Sequence, residues 1–225
     1  MKLFTYKNLI TYWWFSSVAS KYLLSYTAVS LQAYATEIIA NLYKETLDWD
    51  SVAKSVIDDD ALQKGTIATR KREFIEFKKR LQTLTPEQLA YYEDASSSDV
   101  KNLTMLSCFK LYAFISDFAT EIMRNKLLLF DLHLINSDYE AFYDSKRVAY
   151  DNLNTISEAT QYKLKQVMFK MFEQAGFIDS VKNKNIQKPY LSEELIKLIV
   201  QDDPKYLSAF LYSDNEINEH IKRYK

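Results

Sequence analysis

Two stretches of this chain collect basic side chains. Residues 62–81 hold Lys64, Arg70, Lys71, Arg72, Lys78, Lys79 and Arg80 against Glu73 and Glu76, a surplus of five in a protein of formal net charge −1. Thr66 and Thr69 stand where a helix would begin. The backbone N–H groups of a helix N-terminus carry partial positive charge and point outward, so hydroxyls and cations beside them suit a phosphate. Just upstream, residues 45–60 carry six acids against Lys54, which sets an acidic helix against a basic one across a turn at Gly65.

The second stretch, residues 157–188, holds Lys163, Lys165, Lys170, Lys182, Lys184 and Lys188 against Glu158, Glu173 and Asp179. A helix is expected to run from Ser157 to Ala175 within it. Gly176, one of only two glycines, fits the C′ position that closes a helix in the left-handed conformation. Beyond it, Phe177 and Ile178 can form a short strand, with Asn183 and Asn185 supplying the turn of a β wing before Ile186 whose lysines would run along a phosphate backbone. The same residues also fit a surface loop whose lysines serve solubility. Likewise, the first basic helix fits either a DNA contact or a solvated charged face. A short helix, a glycine turn and a basic second helix are the ingredients of a helix–turn–helix.

Other chemistry finds little support. No Walker loop, GxGxxG, HExxH pair or Ser–His–Asp order is present, and Asp117, Glu121, Asp131 and Asp138 are scattered through helical patterns. The single cysteine, Cys108, excludes an internal disulfide or cysteine-based zinc site and lies in the apolar run MLSCFKLYAF, as a buried thiol would. His133 and His220 are far apart. The expectation is a protein without catalytic residues, metal, cofactor or small-molecule substrate.

The elements that must position the two basic stretches are helical. Two glycines and three prolines in 225 residues are too few for a turn-rich sandwich, barrel or doubly wound sheet. The pattern predicts helices near 8–19 and 26–44, the latter with Leu31, Tyr34, Ile38 and Leu42 facing the core. A short helix follows, capped by Asp48 or Asp50 and reaching Ile57. Another runs from Thr66 or Thr69 to about Leu84, burying Ile67, Phe74, Phe77, Leu81 and Leu84. Thr85-Pro86 starts the next. ASSSD at 95–99 marks a lobe boundary. Residues 100–129 predict a central helix or helix pair, 138–149 a helix capped by Ser137, 157–175 the basic helix, and 191–223 one or two more. The apolar stretch from Leu9 to Tyr43 leaves only 15 uncharged residues between Lys21 and Glu37, short of the about 20 a membrane span needs. No signal pattern opens the chain, which points to the cytoplasm.

Several stretches taken in order resemble the BrxA family of the BREX phage-defence systems: YTAVSLQAYATEIIANLYKETLDWDSVAKSVIDDDALQKGTIATRKREF, KKRLQTLTPEQL, FKLYAFISDFATEIMRNKLLLFDLHLINSDYEAFYDSK and ISEATQYKLKQVMFKMFEQAGFI. They run from Tyr26 to Ile178, about two thirds of the chain. None is a catalytic signature, so the ordered set carries the likeness. The resemblance implies an all-helical, non-catalytic protein that binds double-stranded DNA through helix–turn–helix-like lobes. Thr66, Thr69, Arg70, Lys71 and Arg72 would lie at one contact surface, and Ser157, Thr160, Lys163 and Lys182 at another. Asp60 stands where the family pattern favours Asn, and Gly65 near a position it favours as basic, which would weaken contact at the first turn. The first 20 residues lie outside the likeness.

The combined expectation is an all-α protein of two helical lobes, 1–96 and 97–225. Each contains a helix–turn–helix-like unit, and the second carries the wing as an option. It would bind duplex DNA mainly through its phosphates. One rival is a helical scaffold that binds other defence proteins without DNA. A second is a membrane-associated protein held by its aromatic N-terminal segment.

Overall fold

The computed structural model describes residues 21–63 and 65–225, so the helix expected near 8–19 and the side chain of Lys64 lie outside the described residues. The architecture is all-α, and side-chain caps set where most helices begin. The Asp48 carboxylate accepts from the N–H groups of Asp50 and Ser51 to start α2 (Trp49–Ile57). Thr66 caps α3 (Ile67–Leu81), and Thr85 forms a reciprocal capping box with Gln88 at α4 (Pro86–Ala90). Ser96 caps α5 (Ser97–Leu111), while α6 (Ala113–Phe118) and α7 (Arg124–Leu128) flank a π-helical turn at Ala119–Met123. Ser157, Ser192 and Ser213 cap α9 (Glu158–Gln174), α10 (Glu193–Asp202) and α12 (Asp214–Tyr224). Each such cap satisfies an orphan N–H and is worth about 1 kcal/mol.

Three remaining helices depart from the expected starts. α1 spans Ala33–Thr46, preceded by a 3-10 turn at Ser25–Ala28. Its buried face is Ala35, Thr36, Ile39 and Ala40, whereas Tyr34 is 76% exposed. Bulk and aromaticity favoured Tyr34, but small residues let α1 pack closely on its neighbours. α8 (Asn136–Arg147) begins before Ser137, and its first turn is closed by Asp138, whose carboxylate accepts from the Ile135 N–H at 2.8 Å. α11 (Tyr206–Ala209) is a single turn before α12.

α5 is the axis of the fold. Leu103, Met105, Leu106, Cys108 and Phe109 are buried around much of its circumference, as expected of a helix surrounded by protein. Burying each large apolar side chain contributes on the order of 2 kcal/mol. α1, α3 and α11 pack against it, and buried apolar side chains from Tyr22 to Ile217 join one cluster. The ASSSD stretch forms the capped start of α5. Asp99 within it is buried and accepts from the Tyr91 hydroxyl at 2.8 Å and from the Ser192 N–H at 3.3 Å.

Candidate nucleic-acid interface

The two basic stretches fold into α3 and α9, each the second member of a consecutive helix pair. α2 packs on α3, with α1 against both. Between α2 and α3 the chain turns sharply through Asp60, Gln63 and Gly65, at φ values of 54°, 50° and 49°. In the second pair, Tyr139 of α8 meets Phe169 of α9, with ring centroids 6.2 Å apart.

Both helices start in the same way. The Thr66 hydroxyl accepts from the Thr69 N–H at 3.3 Å and lies 3.2 Å from the Thr69 hydroxyl. The Ser157 hydroxyl accepts from the Thr160 N–H at 3.3 Å and lies 3.0 Å from the Thr160 hydroxyl. The four residues are exposed or half-buried, so both helix starts are open to solvent.

The expected basic residues separate by environment. Lys71 and Arg72 of α3, Lys163 of α9 and Lys182 beyond it are exposed, and no ion pair holds them among the described residues. Arg70 is engaged in the fold: its guanidinium meets Asp60 at 2.5 Å and only 10% of its side chain is exposed. Lys79 pairs with Glu76 at 2.9 Å, and Lys78 lies over the Trp49 ring at 5.5 Å. Lys165 lies 3.6 Å from Glu140 and over the Tyr139 ring, and Lys184 lies over Phe169. Lys188 pairs with Glu216 at 2.6 Å and lies 4.0 Å from the Tyr212 ring centre. Ile67, expected in the core, is exposed at the start of α3.

Arg80, counted in the charge of residues 62–81, is a core residue at 0% exposure. Its guanidinium donates to the carbonyls of Val29 at 2.6 Å and Ser30 at 2.7 Å, and to the Tyr112 hydroxyl at 3.1 Å. Tyr112 in turn donates to Glu76 at 2.8 Å, and so does Ser25. Desolvation works to raise the Glu76 pKa, but hydrogen bonds from Lys79, Ser25 and Tyr112 outweigh it and hold the carboxyl below its usual range. A buried cation with its donors satisfied and a carboxylate nearby is the arrangement that a low-dielectric interior tolerates.

Past α9 the chain closes in a Schellman arrangement. Gly176 has φ 78°, its N–H donates to Glu173 O at 3.1 Å, and the Phe177 N–H reaches back to Phe172 O at 2.8 Å. Ile178 and Ile186 then form an antiparallel bridge, the pairing expected of a wing. A third stretch joins it: His133 bridges Asn185, and Leu132 and Leu134 exchange backbone hydrogen bonds with Ile186 and Lys184. Asp179 organises the tip. Its carboxylate accepts from the N–H groups of Ser180 and Asn185 and from the Asn185 side chain, at 2.6, 2.9 and 2.8 Å.

Three features were not read from the sequence. The recurrence of Ser/Thr-x-Ala-Thr at Thr66 and Ser157 was visible in TIAT and SEAT. By contrast, the pairing of residues 132–134 with the hairpin is non-local, and the inward direction of Arg80 depends on the helix phase. Among the described residues no group of His, Cys, Asp and Glu could hold a metal ion, and no helix is long and apolar enough to cross a membrane.

An all-helical core that presents two basic helices from Ser/Thr-capped starts defines a small α-protein with a cationic, hydroxyl-rich surface. The profile of the BrxA family matches residues 20–203, and the chain belongs to that family, whose members are proteins of the BREX phage-defence systems. It is 22% identical to the BREX protein BrxA of Bacillus cereus (strain H3081.97) over 149 residues, 66% of this chain and 74% of that one. Its identity with the BREX protein BrxA of Paramagnetospirillum magneticum (strain AMB-1) is 20%, over 79% of this chain and 89% of the other. The fold also matches the crystal structure of an uncharacterized protein from Magnetospirillum magneticum, with a TM-score of 0.74 at 18% identity, over 85% of this chain and 98% of that one.

Proposed function

We propose that this BREX protein binds double-stranded DNA without acting on it chemically. Two helix–turn–helix-like units, one from each of the lobes 1–96 and 97–225, grip the phosphate backbone. The observation that carries this reading is the repeated surface. The second helix of each pair starts at an exposed Ser/Thr-x-x-Thr cap, and Lys71 and Arg72 or Lys163 stand just beyond it, without an ion pair among the described residues. Oriented N–H groups, hydroxyls and cations in that order match a row of phosphate oxygens. The hairpin carrying Lys182 extends the second unit as a wing. Lys78, Lys79, Lys165, Lys184 and Lys188 hold aromatic or carboxylate partners within the protein, so they lend charge at longer range. Surface pairs of that kind contribute little to stability and exchange readily.

The test is a fluorescence-polarisation titration of the full chain against labelled duplex from about 50 to 200 mM salt. Affinity falling steeply along that series supports the reading, and absence of binding at the low end overturns it.

A second reading draws on a different surface. Leu128, Leu129, Phe130, Leu132 and Ile135 are exposed in one short run, with Phe130 at 89%. Such a run suits contact with another protein, and in a BREX system other BREX proteins are the natural candidates.

A further inference from the structure

The outward faces of α3 and α9 carry more than charge. A shift of 91 residues places Thr66 on Ser157 and Thr69 on Thr160, and it carries the solvent-facing stripe of one helix onto the other. Ala68, Lys71, Arg72 and Ile75 are exposed on α3, and Ala159, Tyr162, Lys163 and Gln166 are exposed at the equivalent positions of α9. Each stripe begins with a small residue that admits close approach. It continues with a cation at the third matched position, Arg72 or Lys163, and ends with groups suited to base edges. Gln166 has an amide that can bond adenine in two places, Arg72 a fork that fits guanine, and Ile75 an apolar surface for a thymine methyl. Ile75 and Gln166, the last residues of these stripes, are not cations, and phosphate contact alone does not call for them.

The two helices are also fastened to each other. Residues 25–31 form a strap between them. On the α3 side, Ser25 donates to Glu76, and Arg80 donates to the carbonyls of Val29 and Ser30. On the α9 side, the Leu31 N–H donates to the Gln174 side chain at 3.1 Å. The 3-10 turn at Ser25–Ala28 packs on both helices.

We infer that α3 and α9 form one bipartite reader that selects duplex DNA by sequence, at two blocks a fixed distance apart. Arg72 and Ile75 read one block and Gln166 reads the other. The inference rests on the DNA-binding reading above, and the complementary charge of Lys71, Arg72 and Lys163 identifies duplex DNA as the occupant of both faces. Paired reading helices held at a fixed separation demand a fixed spacing in their target.

The experiment is selection of the full chain against a randomised duplex library, followed by titration of the enriched sequence. Two conserved blocks are expected, with adenine in the block that Gln166→Ala ceases to discriminate and guanine in the block that Arg72→Ala ceases to discriminate. Each substitution should cost on the order of tenfold on the enriched duplex. Inserting base pairs between the blocks should abolish the preference while leaving the salt-dependent background. Tight binding with no enriched sequence, or with a single block, overturns the inference and leaves the DNA reading intact. Failure to bind any duplex at low salt overturns that reading itself.

Discussion

Arg70 meets Asp60 at 2.5 Å across the turn that feeds α3. This ion pair fixes the approach of the chain to the helix, next to three left-handed positions at Asp60, Gln63 and Gly65. Arg70 and its neighbours Lys71 and Arg72 therefore sit in different environments, although they are adjacent and all basic. Replacing Arg70 with Ala removes packing and a well-held pair and should destabilise the fold by about 1–2 kcal/mol in urea titrations. Lys71→Ala with Arg72→Ala should leave urea stability within about 0.5 kcal/mol. The double variant should weaken duplex binding similarly across sequences for the Lys71 share, and its salt slope should flatten by about one for each phosphate left without its cation.

Arg80 is the most consequential charge in the interior. Arg80→Met removes the donor to Val29, Ser30 and Tyr112 and leaves Glu76 buried beside fewer cations. Breaking a buried charged network on one side costs about 3–5 kcal/mol, so the chemical-denaturation midpoint should fall sharply. Arg80→Lys should not restore it, because a single ammonium cannot serve the Val29 carbonyl, the Ser30 carbonyl and Tyr112 in the fork geometry of a guanidinium. Equal midpoints for the parent and Arg80→Met would refute this account.

The hairpin after α9 is sensitive to acid through Asp179. Desolvation works to raise its pKa, but hydrogen bonds from the side chain and backbone of Asn185, from Ser180 and from Asn183 prevail and hold it below the usual range. A carboxyl lowered in the folded state contributes stability that is present above its unfolded pKa and lost as the pH falls through its folded value. Protection factors at the Asn185 and Ser180 amides, taken relative to intrinsic exchange at each pH, should therefore be high near neutrality and fall as the solution is acidified below the normal carboxylate range. Asp179→Asn should show low protection factors at both amides at every pH. Unchanged protection in that variant would remove Asp179 from its place in the hairpin.

Gly176 isolates a conformational effect. At φ 78° an added Cβ would meet nothing within 4 Å, so Gly176→Ala carries the cost of the left-handed backbone alone. Thermal melts should report a loss of about 1 kcal/mol, without the larger penalty that a steric clash would bring.

Much of the molecule was legible because its helix starts are local. Asp48, Thr66, Thr85, Ser157 and Gly176 act within four residues of themselves, so their roles follow from short motifs. Choices of face were harder. Tyr34 and Ala35 are adjacent, and only the closeness of the surrounding helices decides that the smaller one is buried. Lys79 and Arg80 are adjacent as well, and a count of charge cannot tell the one at the surface from the one bonded to Tyr112. The ASSSD stretch has the composition of a linker, yet Ser96 and Asp99 use those same polar groups to cap α5 and to tie it to Tyr91 and Ser192. Pairing of residues 132–134 with 184–186 links positions some fifty residues apart, beyond the reach of any local pattern.

Arg80 also acts as a rotational key. It follows Lys71 by nine residues, two and a half turns of helix, and so points almost diametrically away from it. With the guanidinium seated among Val29, Ser30 and Tyr112, α3 cannot roll about its own axis, and the azimuth of every outward residue is set from the opposite side. Substitutions at Lys71, Arg72 or Ile75 thus change what the helix touches without changing how it lies, and α3 becomes an interchangeable printing face on a keyed shaft.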